Sequence, residues 1–167
     1  MAGDDIRDAR AADAARIATI YNHYVAQTIV TFDIDPVAAD DMRGRVAEVQ
    51  RDGLPWLVAS DVTGVVLGYA YAARWRARAA YRHSVESSIY LAPGATGRGI
   101  GRRLYRRLLE RLRASGLHTV IGGAALPNPP SVALHEALGF TQVAHLREVG
   151  RKFGRWIDVG YWQLHLQ

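Results

Sequence analysis

Residues 87–110, SSIYLAPGATGRGIGRRLYRRLLE, contain the pattern around which we expect the fold to be organised. The apolar run Ile89, Tyr90 and Leu91 predicts a strand, and a basic helix is expected from Gly101 onward. Between them lies a turn that contains Gly94, Gly97, Gly99 and Gly101. Glycine lets the backbone approach a ligand closely, and a helix start adds unpaired N–H donors and the positive end of the helix dipole. This junction therefore predicts a site for the phosphates of a cofactor.

The glycine pattern by itself leaves the cofactor open. A dinucleotide-binding loop would follow the first strand, with an acidic residue about 20 positions later, whereas this loop lies in the second half of the chain. A Walker-type phosphate loop would end in Gly-Lys-Ser/Thr, but Gly101 is followed by two arginines. A glycine-rich turn without a ligand is the structural alternative.

Composition limits the possible classes of protein. The chain has 167 residues, of which 49% are hydrophobic, so we expect one globular domain over residues 1–167. The absence of cysteine excludes disulfides, thiolate metal sites and a cysteine nucleophile. No apolar run approaches the ~20 residues of a membrane span, and the acidic N-terminal segment is unlike a signal peptide, so we expect a cytoplasmic protein. The formal net charge of +5 suits an acidic partner, either nucleic acid or a polyanionic cofactor.

Hydrophobic periodicity and turn signals predict an α+β fold with a mixed central β-sheet flanked by helices. The predicted strands are 6–9, 55–60, 65–73, 85–91, 118–124, 140–147 and 157–166. The predicted helices are 11–27, 35–53, 101–114 and 128–139. Residues 28–32 are predicted to form an extended arm, residues 74–82 a polar connection, and residues 150–156 a basic link between the last two strands.

The segment Thr96-Gly97-Arg98-Gly99-Ile100-Gly101 resembles the pyrophosphate loop of the GNAT acetyltransferase superfamily, Gln/Arg-x-x-Gly-x-Gly/Ala. Thr96 is a departure, because the family has Gln or Arg there. Other motifs are similar to the phosphinothricin acetyltransferases, which include enzymes acting on methionine sulfoximine and methionine sulfone. These motifs, in matching order, are IYNHY (20–24), WLVA (56–59), PNPPS (127–131), HEALGF (135–140) and GRWIDVG (154–160). The resemblance covers nearly the entire chain. It implies a GNAT-type fold and acetyl-CoA-dependent N-acetylation of a small amino-acid-like amine.

The resemblance also implies how the cofactor is held. The glycine loop and its flanks would bind the diphosphate of coenzyme A, and amide groups at the end of the strand would face the thioester. Asn128 and Ser131 would contact the pantetheine or acetyl end. The residues assigned to the cofactor are Ile89, Tyr90, Leu91, Thr96, Gly97, Arg98, Gly99, Ile100, Gly101, Arg102, Asn128 and Ser131.

Glu86 is the candidate general base. It matches the glutamate that serves as the base in the family, and strand alternation places it on one face with Ser88 and Tyr90. An ammonium group must lose a proton before it can attack a thioester, and a carboxylate with a raised pKa suits that task. The alternative is an ordinary carboxylate in an ion pair.

His135 is the candidate general acid. It matches the histidine of the phosphinothricin group, and an imidazole with an ordinary pKa near ~6.5 can donate a proton to a departing thiolate at neutral pH. The alternative is a hydrogen-bonded, inert histidine packed beneath the last strands. Because a thiolate can also leave unaided, the acid role need not be large.

The segment 75–81 matches the family's substrate segment, Trp-Lys-x-Arg-x-x-Tyr, with Arg76 in place of the lysine. Arginine holds carboxylate, phosphinate or sulfone oxygens through paired hydrogen bonds. Phe32, on the arm, is expected to cover the acceptor's side chain. The candidate substrate-binding residues are Phe32, Trp75, Arg76, Arg78 and Tyr81. A solvated basic loop is the alternative, and the roles of Lys152 and Arg155 stay open between the site and a dimer contact.

Two other functions compete with small-molecule N-acetylation. An acetyltransferase could instead modify a protein N-terminus or a lysine, and the arginine-rich helix could bind nucleic acid, although it shows no aromatic–basic interleaving. Arg102 and Arg103 are expected to meet the coenzyme A phosphates, while the other arginines of this helix form a solvated face. We expect a homodimer by resemblance, with no nucleic-acid, membrane or metal partner.

Overall fold

The computed structural model describes residues 5–167. Within these residues, seven strands form one mixed sheet in the order β1-β2-β3-β4-β5-β7-β6. The strands are β1 (Asp5–Asp8), β2 (Trp56–Ser60), β3 (Val66–Arg74), β4 (Ser84–Leu91), β5 (Thr119–Leu126), β6 (Thr141–Lys152) and β7 (Arg155–His165). Among the strands of the described residues, β4 and β5 pair in parallel and every other neighbouring pair is antiparallel. The prediction of a mixed sheet flanked by helices is confirmed.

Four α-helices accompany the sheet in the described part of the chain: α1 (Ala14–Gln27), α2 (Ala39–Arg51), α3 (Ile100–Ala114) and α4 (Pro129–Ala137). The start of α2 was predicted wrongly at residue 35. The side-chain amide of Asn22 on α1 bonds both backbone groups of Val37, at 2.9 Å to its carbonyl and 2.8 Å from its N–H, and so holds that segment extended. A tertiary contact therefore delays the helix.

Helix α3 packs beneath the sheet through one apolar stripe. Ile100, Leu104, Leu108 and Leu112 are at most 1% exposed and recur every four residues. Burying each of these side chains stabilises the fold by about 1.5–3 kcal/mol. Helix α3 therefore holds the glycine loop against the end of β4.

Strands β4 and β5 separate part-way along their length. Their parallel ladder runs from Ser84–Thr119 only to Ser87–Gly122, although both strands continue beyond it. The sheet therefore opens into a gap beside residues 88–91. No local pattern in the sequence indicates this gap.

The connection between β6 and β7 is shorter than predicted. Residues 150–156 are not a basic link, because β6 continues to Lys152 and β7 begins at Arg155. Phe153 and Gly154 both have positive φ, at 51° and 73°, which is typical of a two-residue type I′ hairpin turn. Phenylalanine is rare in this conformation, so the sequence did not indicate the turn.

Candidate active site

The two faces of β4 point to different layers of the molecule. Tyr90 packs edge-on against Tyr21 of α1, with 5.3 Å between ring centroids, and Glu86 and Ser88 share that face by alternation. On the other face, the Ser87 hydroxyl bonds the hydroxyl of Tyr105 on α3. The face of β4 that carries Glu86 and the face that carries Ser87 therefore both border the gap.

Glu86 lies half-buried on the wall of a cavity of about 340 Å³. A Cβ added to Gly123 across the gap would lie 3.5 Å from Oε1 of Glu86, so this glycine borders the carboxylate. Burial raises the pKa of Glu86, and the positive charge of Arg76 partly opposes that rise. The group is thus shifted toward the proton affinity of a base that works near neutral pH.

The predicted substrate segment is divided by the fold. Trp75 and Arg76 line a neighbouring cavity of about 570 Å³, and the Arg76 guanidinium lies 4.3 Å from the centroid of the Trp75 ring. Trp75 also meets Tyr161 edge-on at 5.7 Å, and Tyr161 lines the Glu86 cavity. These aromatic rings therefore connect the two cavities.

Arg78 and Tyr81 line neither of these two cavities. A 3-10 turn at Ala79–Tyr81 turns the chain away after Ala77, and both side chains are exposed. Sequence spacing could not reveal this change of direction. The structure brings Arg76 toward Glu86 but leaves Arg78 and Tyr81 outside.

The arm after α1 covers the Glu86 cavity. Phe32 lines the cavity together with Thr31, whose side-chain oxygen is 2.7 Å from the hydroxyl of Tyr21. The buried Lys152 ammonium donates to the carbonyl of Thr31 at 2.8 Å and to that of Tyr24 at 3.4 Å. Lys152 thus ties the arm to β6. Arg155 is exposed on the other side of the hairpin turn.

The glycine loop has the geometry of an anion cradle. Gly97 and Gly99 both have φ near +74°, a conformation that favours glycine, and Gly99 immediately precedes the first residue of α3. Thr96, Arg98 and Arg102 are exposed around the loop. Gly101 is buried, and a Cβ there would approach Leu91 to 3.3 Å, so this glycine allows the helix to pack closely on β4. Ile100 anchors the loop in the core.

His135 is 3% exposed and has partners at both ring nitrogens. Nδ1 lies 2.7 Å from the Ser131 carbonyl, and Nε2 lies 3.2 Å from the Tyr105 hydroxyl. Because a carbonyl only accepts, the proton belongs on Nδ1, and Nε2 accepts from Tyr105. Burial lowers the pKa of His135, with the Ser131 carbonyl partly opposing it. The imidazole is therefore neutral at neutral pH.

A narrow cavity of about 50 Å³ lies in the gap between β4 and β5. Its lining joins Ile89, Tyr90, Asn128, Ser131 and His135, which the sequence had assigned to the thioester end of the cofactor and to the leaving group. The Asn128 side chain also accepts from the Ser131 N–H at 3.3 Å and so caps α4.

Sequence reasoning assigned no part in the active site to several residues of this region: Tyr24, Ser88, Tyr105 and Tyr161. Tyr24 donates to the carbonyl of Leu91 at the open end of β4, and Tyr105 joins Ser87 to His135. The tyrosines looked like ordinary core aromatics, and only the alternation of β4 indicated Ser88. In residues 5–167 there is no group of three or more His, Cys, Asp or Glu side chains that could hold a metal ion.

The order of strands, the gap and the glycine loop can be compared with those of known proteins. Residues 6–160 match the family model described as the acetyltransferase (GNAT) domain. The chain belongs to the GNAT acetyltransferase family.

Individual relatives agree with this membership. The chain is 45% identical over 159 residues to a phosphinothricin N-acetyltransferase of Streptomyces viridochromogenes, covering 95% of this chain and 86% of the relative. It is 40% identical over 161 residues to an L-methionine sulfoximine/L-methionine sulfone acetyltransferase of Pseudomonas aeruginosa, covering 96% and 94%. A phosphinothricin acetyltransferase structure from Sinorhizobium meliloti in complex with acetyl-CoA superposes with a TM-score of 0.95 at 40% identity, covering 99% and 89%. The family resemblance seen in the sequence is confirmed.

No helix within residues 5–167 combines the length and apolar character needed to cross a membrane.

Several arginines on the outer face of α3 have protein partners. Arg107 pairs with Glu110 at 3.1 Å, and Arg111 pairs with Asp8 at 3.2 Å. Arg113 donates to the carbonyl of Leu166 at 3.2 Å. The side chains of Arg107 and Arg111 remain 53% and 43% exposed in these pairs, so this face of α3 is solvated, as the sequence predicts.

Proposed function

We propose that this enzyme transfers the acetyl group of acetyl-CoA to the α-amine of a small amino-acid-like acceptor. The main observation is the position of Glu86, a half-buried carboxylate with a raised pKa on a cavity beside the gap between β4 and β5. The acceptors of the phosphinothricin and methionine sulfone type are suggested by the relatives.

The cofactor assignment is supported by the residues that surround the gap. Acetyl-CoA supplies the activated acetyl group. The amides around Gly97–Gly101 and the start of α3 offer donors and a positive dipole end for its diphosphate. Asn128 and Ser131 lie at the narrow cavity where the thioester end would be held.

Glu86 is proposed to take a proton from the acceptor's ammonium group, directly or through water. A deprotonated amine then has the lone pair needed for attack on the thioester carbonyl. Arg76 lies close enough for its charge to lower the pKa of Glu86, and it is proposed to hold the acceptor's anionic group. Trp75 and Phe32 would enclose the side chain.

Backbone amides at the end of β4 are proposed to stabilise the charge that develops on the carbonyl oxygen. The N–H of Ala92 donates to the carbonyl of Leu67 on β3 at 2.8 Å. Strand alternation therefore directs the Ile89 and Leu91 N–H groups to the opposite side, toward the gap, and the Tyr90 N–H toward β3. Losing one such donor typically costs ~10²–10³ in rate.

His135 fits a supporting role better than the acid role expected from its sequence position. A neutral ring with its proton directed at the Ser131 carbonyl has no proton on Nε2 to donate. We propose that it orients the Tyr105 hydroxyl and shapes the narrow cavity, and that the thiolate leaves without an obligatory proton from His135.

A homodimer is proposed from the exposed face of the β6–β7 hairpin. Strand β6 is the edge of the sheet and carries exposed apolar side chains, among them Val143 and Leu146, while Phe153 and Trp156 at the turn are 55% and 61% exposed. Long apolar edge strands are usually covered in native proteins. Light scattering should give twice the chain mass, and Trp156→Glu should lower it to that of one chain. Monomeric wild-type protein at micromolar concentration would refute the dimer.

The proposed reaction is tested by measuring thiol release from acetyl-CoA with a panel of acceptors. Phosphinothricin, methionine sulfoximine and methionine sulfone should be acetylated, whereas a peptide with a free N-terminus should not. Preference for the peptide would favour the alternative of a protein acceptor. Failure of the folded protein to bind coenzyme A in calorimetry would refute the function altogether.

A cytoplasmic location is likewise proposed, and cell fractionation tests it.

A further inference from the structure

A bulge interrupts β6 opposite the Glu86 cavity. The ladder passes from the pair Leu146–Val159 to the pair Gly150–Ile157. Three residues of β6, numbers 147–149, therefore face a single residue of β7, Asp158. Bulges redirect side chains and often occur beside active sites.

Asp158 holds the bulge through both carboxylate oxygens. Oδ1 accepts the backbone N–H of Glu148 at 2.8 Å, and Oδ2 lies 2.6 Å from Nε2 of His145. Glu148 has φ of +49°, a left-handed conformation that a residue with a side chain rarely adopts. The hydrogen bond from Glu148 to Asp158 thus supports a strained backbone conformation.

The bulge places Val149 on the wall of the Glu86 cavity, which also contains Phe32, Val159 and Tyr161. The next residue, Gly150, lies directly under the Phe32 ring, because a Cβ there would be 2.2 Å from its Cε2 atom. The bulge and the arm therefore meet and form a single apolar wall. None of the cofactor-binding residues belongs to this wall.

We propose that Val149 determines which acceptor side chains the cavity accepts, and that Asp158 is a positioning residue that holds Val149 in place. The inference rests on the proposed function and deepens it. Val149 would contact the methylene groups of the acceptor's side chain, while Glu86 acts on the amine. Changes at Val149 should therefore alter the choice of acceptor and leave acetyl-CoA binding unchanged.

The first test changes the size of residue 149. The ratio of kcat/KM for L-phenylalanine to that for L-methionine sulfone should rise at least ~5-fold in Val149→Ala and fall similarly in Val149→Phe, since one or two methylenes in an apolar pocket change discrimination by about tenfold or more. Val65 provides a matched control away from the cavity and the β6–β7 hairpin, because it is 47% exposed where Val149 is 54% exposed. Val65→Ala and Val65→Phe should keep the ratio within twofold.

The outcomes separate this inference from the proposed function. An active wild-type enzyme whose ratio moves less than twofold in both Val149 variants overturns the inference alone, as does an equal shift in the Val65 variants. A folded wild-type enzyme that acetylates no amino-acid acceptor overturns the proposed function and this inference with it.

The second test addresses the positioning role of Asp158. Asp158→Ala should raise the acceptor KM and shift the same ratio, with kcat changed less than KM, because the N–H of Glu148 loses its acceptor. Glycine adopts positive φ without a steric cost, so the double variant Asp158→Ala/Glu148→Gly should recover most of the wild-type ratio. A lower Tm in Asp158→Ala with the ratio unchanged would show that Asp158 is merely structural.

Discussion

Two neighbouring glycines of β5 face two different titratable groups. A Cβ on Gly122 would lie 2.3 Å from Nε2 of His135, whereas a Cβ on Gly123 would lie 3.5 Å from Oε1 of Glu86. Burial favours the neutral form of both groups, raising the pKa of Glu86 and lowering that of His135. Glu86 opens on a cavity, while both nitrogens of His135 are engaged by the protein. The same desolvation therefore leaves Glu86 accessible from a cavity with a raised pKa, while His135 is neutral and enclosed by the protein.

The largest effect on the reaction rate is expected at Glu86, which opens on a cavity. Glu86→Gln should lower kcat/KM by about 10²–10⁴ at neutral pH, because the amide cannot accept the proton. Activity should recover partly at alkaline pH, where the acceptor's amine is already neutral. In the wild type, activity should fall as the pH drops through the raised pKa of Glu86, above the range of an ordinary glutamate. Thiol-release assays across pH measure both effects.

The exposed Glu110, which pairs with Arg107 on α3, supplies the control for this prediction. Glu110→Gln should leave the rate and its pH profile unchanged. Full activity of Glu86→Gln at neutral pH would remove Glu86 as the base.

A substitution beside the enclosed His135 should lower the thermal stability of the protein. Gly122→Ala forces a methyl group into the buried His135 ring, and overpacking of this kind costs about 1–3 kcal/mol. Calorimetry should show a Tm lower by roughly 2–12 °C for a chain of this size. The atoms nearest to a Cβ at Gly123 belong to Tyr161, at 3.1 Å, and to Glu86, so Gly123→Ala should affect the acceptor KM more than the Tm. Equal losses of Tm in Gly122→Ala and Gly123→Ala would contradict the proposed difference between the surroundings of His135 and those of Glu86.

His135→Gln should lower kcat by less than about tenfold, because a neutral imidazole is not the required proton donor. An obligatory general acid would instead typically contribute 10²–10⁴-fold.

His135 titrates in the unfolded chain near ~6.5 and at lower pH in the folded chain. Its contribution to stability is therefore present above that pH and is lost as the pH falls through the folded pKa. Urea unfolding between pH 5 and pH 7, in roughly unit steps, should show less pH dependence in His135→Gln than in the wild type.

The smallest effect is expected on the acceptor KM when Lys152, which connects the arm to β6, is replaced. Lys152→Met removes the ammonium that bonds the Thr31 carbonyl and should raise the acceptor KM about 3–10-fold, equivalent to one ordinary hydrogen bond. Acetyl-CoA affinity should stay within twofold. Arg155→Met is the control across the turn and should leave both constants unchanged. A Lys152→Met enzyme with wild-type acceptor KM would show that the tether is dispensable.

The sequence predicted most of the fold because its patterns are local. The four-residue apolar repeat of α3 predicts an amphipathic helix from neighbouring residues alone, and the paired signals of Asn128 and Pro129 set the start of α4. The errors arose where distant groups decide the backbone. Asn22 holds Val37 extended and shortens α2, and the turn at Phe153 requires a conformation that its side chain disfavours.

The sequence by itself determined the family and indicated the candidate phosphate loop at Gly97–Gly101 and the candidate base at Glu86, because each depends on neighbouring residues or on the spacing within a motif. Tertiary structure decided which candidates share a cavity. It separated Arg78 and Tyr81 from Glu86, enclosed His135 between Ser131 and Tyr105, and brought Lys152 to the arm. Charge state and access depend on burial, and burial is a property of the packed chain that no local pattern contains.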